Sequence, residues 1–460
     1  MGAIRSNAKK TAVEIRDKVF PLFLLFVFLL CTKISPAQIV SFAPPWDAHY
    51  TVDAVYKNYL SNSNGRYIFI LNKTAWAYFA CTNPAGYLKK AQKEGITTIR
   101  VALEGTPYYD VLDWDMWPWG GTRNNPDYTT INVKYWDEVE KRIRLAGDMG
   151  FGIDLCLYTG LIFDKSMINS QKKYWETVIE RLAKYTNILT WEIHNEYLKN
   201  EEFQATAAKF LKESDPYKRP VCSSDGTTDN AAGVHFEWMD LAIVHTCTGS
   251  TPLKINNLTM LNADGGSHHL KDWYQSIARN VRSHNKPAFN NESGRERRHG
   301  NDDPVHRRKQ GWIFNASGCF WTHHSWDGCE GIDDMEYKAP GSEFLLSMRQ
   351  FFESIPFWTL IPDYTVVRNH NPNLLFSTMS DSQRKHTISY ICTLLTGEKN
   401  FSETLQLRLP AGQYCVTFIS PISLETIKKT YITSKSLGLD ININIPDFMD
   451  DILMHITLII

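Results

Sequence analysis

Ile188-Leu189-Thr190-Trp191-Glu192-Ile193-His194-Asn195-Glu196 is the stretch whose reading decides the fold. An apolar run of strand length is followed at once by His, Asn and Glu, so a buried strand delivers polar side chains at its carboxyl end. A second stretch repeats the arrangement: Pro287-Ala288-Phe289-Asn290-Asn291 runs into Glu292-Ser293-Gly294. Parallel strands of a barrel place their chemistry at these ends.

Working outward, further apolar runs at 67–71, 97–103, 153–157, 220–224, 241–245 and 318–323 alternate with helical patterns at 84–93, 133–149, 172–185, 202–213, 268–284 and 342–354. Eight βα-like units in series predict a (β/α)8 TIM barrel, in which the two quoted stretches are strands 4 and 7. A doubly wound open sheet is the alternative. After Pro362 the pattern changes to short strands at 374–379, 387–394, 405–409, 414–420, 430–432, 439–445 and 452–460, which predicts a small all-β sandwich. The expected organisation is a signal peptide over 1–37, a lead-in over 38–65, the barrel over 66–362 and the β-sandwich domain over 363–460. No internal repeat or low-complexity linker separates the last two, and Phe351, Phe352, Phe357 and Trp358 are read as an apolar seam between them.

The chain has 460 residues, 43% hydrophobic and 22% charged, which fits a globular protein with a large core. Lys+Arg at 49 against Asp+Glu at 50 supplies no field for a phosphate backbone, so nucleic acid is not an expected partner. Aromatic residues reach 13%, with 14 Trp and 21 Tyr, and aromatic faces stack on the apolar faces of sugars, which makes carbohydrate the expected ligand.

At the N-terminus, Arg5, Lys9, Lys10, Arg16 and Lys18 precede an apolar run from Val19 to Cys31, and Ser35-Pro36-Ala37 stands before Gln38. This is the pattern of a cleaved export signal, and it predicts a secreted or periplasmic protein. At about 1.5 Å per residue the run is too short for a hydrocarbon core of about 30 Å, so no membrane span is expected after cleavage. Leu30 before Cys31 argues against a lipoprotein signal. Nine Cys show no metal-like spacing; Cys156, Cys222, Cys247, Cys319, Cys392 and Cys415 read as small core hydrophobes, and a Cys319–Cys329 pair is open. HExxH, CxxC, P-loop and GxGxxG patterns are missing, so neither a metal nor a nucleotide cofactor is expected.

Glycoside hydrolysis needs one carboxylic acid to protonate the leaving oxygen and a second carboxylate to attack or to activate water. Asn195-Glu196 and Glu292, at two strand ends of one barrel mouth, supply such a pair, with Asn195 placed to hold a sugar hydroxyl. The pattern resembles the large clan of retaining (β/α)8 glycoside hydrolases. That resemblance implies Glu196 as acid/base after an Asn at the end of strand 4 and Glu292 as nucleophile at the end of strand 7. A closer resemblance, over nearly the whole chain beyond residue 38, is to the apiosidase-like glycosidase barrels followed by a β domain often labelled collagen-binding. Leu71-Asn72-Lys73-Thr74-Ala75-Trp76 is similar to their opening motif, with Asn72-Lys73 where Gly-Asp is common, and Met348 to Ser354 with Trp358 and Pro362-Asp363 is similar to their domain junction.

Around the two carboxylates, Arg100 is placed as a cation that favours the charged form of a neighbouring carboxylate. His194, His245 and His323 are candidates for contact with substrate hydroxyls or the carboxylates. Trp76, Trp321 and Trp326 are stacking candidates, and the long aromatic segment containing Tyr108, Tyr109, Trp114, Trp117 and Trp119 is read as a wall of the cleft. Glu192 and Asp154 are expected inside the barrel rather than at its mouth. The function expected from all this is a secreted retaining glycoside hydrolase acting on plant or microbial polysaccharides or oligosaccharides. A non-catalytic carbohydrate- or matrix-binding protein on the same scaffold is the alternative, since a fold alone does not prove activity.

Overall fold

The computed structural model describes residues 46–104, 117–226, 231–246, 253–255, 258–260, 273–293, 303–324, 340–368, 371–400, 402–435 and 440–459. Eight parallel strands, β1 (Leu71–Thr74), β2 (Thr98–Ala102), β3 (Gly152–Tyr158), β4 (Ile188–His194), β5 (Val221–Cys222), β6 (Ala242–His245), β7 (Ala288–Glu292) and β8 (Phe320–His323), form one curled sheet in the order β6-β7-β8-β1-β2-β3-β4-β5. Chain order is kept throughout, and β8 pairs with β1, with Trp321 opposite Leu71. A doubly wound sheet would reverse direction at a switch point, so this order is that of a TIM barrel. The stretches quoted first are strands 4 and 7.

The helices α1 (Pro84–Glu94), α2 (Val133–Asp148), α3 (Ile168–Leu182), α4 (Glu201–Ser214), α5 (Trp273–Arg282), α6 (Pro304–Asn315) and α7 (Leu345–Glu353) lie between or after the strands. Their boundaries follow from the sequence. Asn83 caps α1 by accepting from Gly86 N at 2.9 Å, Pro84 fills its first position, and Gly95 closes it at φ 90°, where a Cβ would strike the Leu346 backbone at 2.6 Å. Asn132 caps α2 in the same way. Ahead of the barrel a short hairpin (Tyr50–Val52 with Leu60–Asn62) packs at the amino ends of the strands: Trp46 lies against Gly152, and Asn58 donates to the Lys286 carbonyl at 2.8 Å.

Beyond the barrel come β9 (Leu374–Ser380), β10 (His386–Thr393), β11 (Thr404–Arg408), β12 (Gly412–Ile419), β13 (Thr426–Ser434), β14 (Asp440–Asn444) and β15 (Asp451–Leu458). One antiparallel sheet runs from the short strand Ile361–Pro362 through β9, β10, β15 and β12 to β13; β11 lies between Val367–Arg368 and β14 in the other. Leu405, Leu407 and Ile443 of the small sheet share a core with Val416, Phe418, Met454 and Ile456 of the large one, which makes the unit a sandwich. Among the described residues no helix is long and apolar enough to cross a membrane.

The seam between barrel and sandwich contains the expected aromatics and a polar part that the sequence did not suggest. Phe352 stacks on Phe69 at 4.7 Å, Phe357 meets Tyr59 edge-on, Trp358 stacks on Tyr67 at 4.6 Å and Phe351 meets His455 of the sandwich edge-on; Phe351, Phe352 and Phe357 share one core with Leu375, Met379, Ile388 and Tyr390 of the sandwich, and Trp358 packs against it. The polar part is built on α6, whose Arg308 makes a two-pronged ion pair with Asp451, 2.8 Å on each arm, while Lys309 donates to Thr393 O, Thr393 Oγ1 and Leu395 O. Trp312 stacks on Tyr390 between them. Both partners of the Arg308–Asp451 pair are buried, and Asp451 also accepts from the Tyr390 hydroxyl. Removing one partner of such a pair strands the other charge, so Asp451→Ala is expected to cost about 3–5 kcal/mol in urea unfolding. The double change Arg308→Met with Asp451→Leu should cost much less. An Asp451→Ala protein within about 0.5 kcal/mol of wild type would contradict this account of the seam.

Candidate active site

The mouth is organised around Arg100 on β2. Its side chain is fully buried and every nitrogen is engaged: Nε and Nη2 hold Glu192 at 2.7 and 2.6 Å, Nη1 holds Glu292 Oε1 at 2.9 Å, and Nη2 also donates to Asn195 Oδ1 at 2.8 Å. The Trp76 ring covers the guanidinium at 4.4 Å. These partners keep Arg100 charged although burial opposes it. Arg100 therefore joins the ends of β2, β4 and β7, and its donors are spent on protein rather than on a ligand. Trp76 is likewise buried, with one ring face given to Arg100.

Glu196 follows β4 with φ 54°, a left-handed conformation that a non-glycine residue adopts only when its surroundings enforce it. Ser224, just past β5, does the enforcing. Its Oγ accepts the Glu196 N–H at 3.1 Å and donates to Glu192 at 2.8 Å, and its backbone bonds both His194 and Tyr197. The Glu196 side chain is about 30% exposed, whereas that of Glu292 is 4% exposed. His245, at the end of β6, bridges the two: its Nδ1 is 3.0 Å from Glu196 Oε1 and 3.8 Å from Glu292 Oε2. One side-chain oxygen of Glu196 and one of Glu292 lie within 4.8 Å of each other. Asn195 Oδ1 is fixed by Arg100, which orients the amide and leaves its NH2 group as the donor.

The remaining expected residues fall elsewhere. His194 points both ring nitrogens at backbone carbonyls, Asn195 O at 2.8 Å and Leu161 O at 3.0 Å, so it shapes the turn and has no nitrogen to offer a ligand; burial holds it below its ordinary pKa. Trp321 faces outward on β8, packed under α6 and α7, where a Cβ on Gly311 would come within 3.1 Å of its ring. His323 shares that outward side: Nε2 meets Pro340 O at 3.1 Å, and burial with Arg307 and Lys73 nearby holds it well below its ordinary pKa. The next residue, His324, is the one at the mouth, with Nδ1 3.0 Å from Thr74 Oγ1 and Nε2 3.9 Å from Glu292 Oε2. Trp117 and Trp119 begin a hairpin (Trp119–Thr122 with Asn125–Ile131) and are core residues, not a wall; Trp119 is fully enclosed by Tyr128, Tyr158, Phe163 and Tyr174. Tyr108, Tyr109, Trp114 and Trp326 lie outside the described residues.

Two sequence features are settled by position. Lys73, which stands where the related motif commonly carries Asp, pairs with Glu94 of α1 at 2.6 Å and so lies away from the carboxylate pair. Cys81, Cys156, Cys222, Cys319, Cys392 and Cys415 are buried, while Cys247 and Cys329 lie outside the described residues. Asp154, inside the barrel, accepts from Thr190 Oγ1, and its pKa is pushed up to about 6 by burial and the charge of Glu192, against the pull of Arg100. Its contribution to stability is therefore full below about pH 4 and lost as pH rises through 6. Asp154→Asn is expected to gain on wild type by roughly 3 kcal/mol in unfolding stability between pH 4 and pH 7. A difference independent of pH would contradict the burial of a titrating group there.

Residues 55–320, more than half of the chain, match the family model described as apiosidase-like, catalytic domain. No curated protein matches the chain. Among solved structures, one described as a glycoside hydrolase is 15% identical, with a TM-score of 0.66 over 90% of this chain and 98% of its own. A glycoside hydrolase family 5 protein from Bacteroides vulgatus ATCC 8482 is also 15% identical, with a TM-score of 0.67 over 90% of this chain and 95% of its own. At that identity the two structures speak for the shared fold, and the family assignment rests on the sequence match. The chain belongs to the apiosidase-like catalytic-domain family and, with it, to the glycoside hydrolases.

Proposed function

We propose that the protein is an exported retaining glycosidase that uses Glu292 as nucleophile and Glu196 as acid/base. The carrying observation is the carboxylate spacing: oxygens within 4.8 Å of each other suit the separation of about 5–5.5 Å between carboxyl groups in retaining enzymes better than the roughly 6.5–9.5 Å that leaves room for water in inverting ones. Glu292 is buried and oriented by Arg100, as a group that must attack one carbon along one line. Glu196 is the more exposed carboxyl, as a group that must reach first a leaving oxygen and then a water. Asn195, its Oδ1 tied down, offers its NH2 to a sugar hydroxyl, and His245 stands against both carboxylates.

In the first step Glu292 attacks the anomeric carbon while Glu196 gives its proton to the departing oxygen; in the second, Glu196 takes a proton from water as the glycosyl ester is cleaved. The basic and apolar N-terminal sequence supports action outside the cytoplasm, on polysaccharides or oligosaccharides of plant or microbial origin. In a panel of aryl glycosides and polysaccharides, Glu292→Gln should abolish turnover of whichever substrate the wild type cleaves. Glu196→Gln should lose about 10²–10⁴-fold on substrates with poor leaving groups and far less on activated aryl glycosides, with azide restoring rate. Folded Glu292→Gln protein with wild-type activity would overturn the assignment, as would a Glu196→Gln variant equally slow on every leaving group and indifferent to azide.

A further inference from the structure

Glu104 stands two residues past β2 and is completely buried, yet the reaction proposed above gives it no task. Its carboxylate gathers three successive backbone amides from the loop after β3: Thr159 at 2.9 Å, Gly160 at 3.1 Å and Leu161 at 3.0 Å. The same loop reaches the turn that carries Glu196 from two sides. Leu161 O meets His194 Nε2 at 3.0 Å, and the other nitrogen of that ring meets Asn195 O at 2.8 Å. Phe163 O accepts from Asn200 Nδ2 at 2.5 Å; Asn200 Oδ1 in turn accepts from Gln204 Nε2, which also donates to Tyr197 O at 2.6 Å. The residues immediately before and after Glu196 thus hang on a loop whose own amides are collected by one buried carboxylate, and Glu196 itself sits at a φ that relaxes unless it is held.

We propose that Glu104 is a positioning residue for Glu196, acting through the 159–163 loop to hold the His194–Tyr197 turn in its left-handed geometry. This rests on the reading of Glu196 as acid/base. Burial pushes the Glu104 carboxyl up to about 7, against the three amide bonds and the charge of Arg123, which favour ionisation. The other titratable groups around it are Tyr128 of the hairpin, Tyr135 on α2, Cys156 and Tyr158 on β3, and Tyr174 on α3, all of which burial keeps protonated. Protonating Glu104 puts an O–H where an amide N–H now points, so at least one of the three loop bonds is lost. The grip on the loop therefore strengthens as pH rises through about 7.

Hydrogen exchange of the full-length protein, read by mass spectrometry at pH 6 and pH 8 and divided by intrinsic amide rates, tests the structural half without any substrate. In wild type, peptides covering 159–163 and 194–197 should both gain about ten-fold in protection from pH 6 to pH 8, the ratio that ionisation near 7 allows. Glu104→Gln should show the low protection at both values. If 194–197 does not follow 159–163 in wild type, the coupling is absent and the proposal fails, whether or not the variant folds. The kinetic half compares leaving groups: Glu104→Gln should lower kcat by about 10–100-fold on substrates that need protonation, with KM little changed and activated aryl glycosides less affected. Unchanged kcat in a folded variant would also overturn it. Failure of the acid/base reading shows itself separately, in Glu196→Gln, and leaves the exchange result standing.

Discussion

A fully buried guanidinium is the constraint on which the rest of this molecule turns. Taking Arg100 out of water is affordable only because Glu192 answers it with two oxygens and Glu292 and Asn195 complete its set of acceptors. Those partners sit at the ends of β4 and β7, so satisfying one charge fixes the relative height and rotation of three strands. The Glu292 carboxylate is thereby presented in one orientation, and the amide beside Glu196 is turned with its oxygen inward. Site geometry and barrel stability are the same interaction seen from two sides.

A related logic governs the far side of the barrel. Helix α6 is buried on faces that meet the sheet and the sandwich alike, and it carries Arg307, Arg308 and Lys309 into that interior. Arg308 and Lys309 are answered by Asp451, Thr393 and Leu395 of the sandwich, while Arg307 donates to the backbone carbonyl of His324. The helix that docks the sandwich thus also holds the strand end that brings His324 beside Glu292. The sandwich supplies counter-charges and carbonyls that the barrel helix lacks, which gives it a structural role in the barrel whatever else it binds.

Much of this was legible in the sequence because strands of a parallel barrel are continuous apolar runs. Eight such runs could be found, and the polar residues that follow them named Glu196 and Glu292. What was not legible has physical reasons. Trp117, Trp119 and Trp321 are aromatic for the core's sake, and composition does not tell a buried indole from an exposed one. His323 and His324 are neighbours, and a shift of one residue exchanges the inner for the outer side of a strand end, so spacing does not tell which of the two faces Glu292. Helix α6 shows no apolar stripe because it has no solvent face; the Asp303-Pro304 cap was its available signal. Ser224 and Glu104 act through backbone amides, and such roles leave no pattern in spacing.

The chemistry proposed for this pair is a double displacement, which the short separation of the two carboxyl groups favours over a mechanism that seats a water between base and sugar. Proton NMR of the first-formed product, recorded before mutarotation, reads that outcome directly. The account predicts that the anomeric configuration of the product is that of the bond cleaved. A product of inverted configuration would contradict it and would make Glu292 a base rather than a nucleophile.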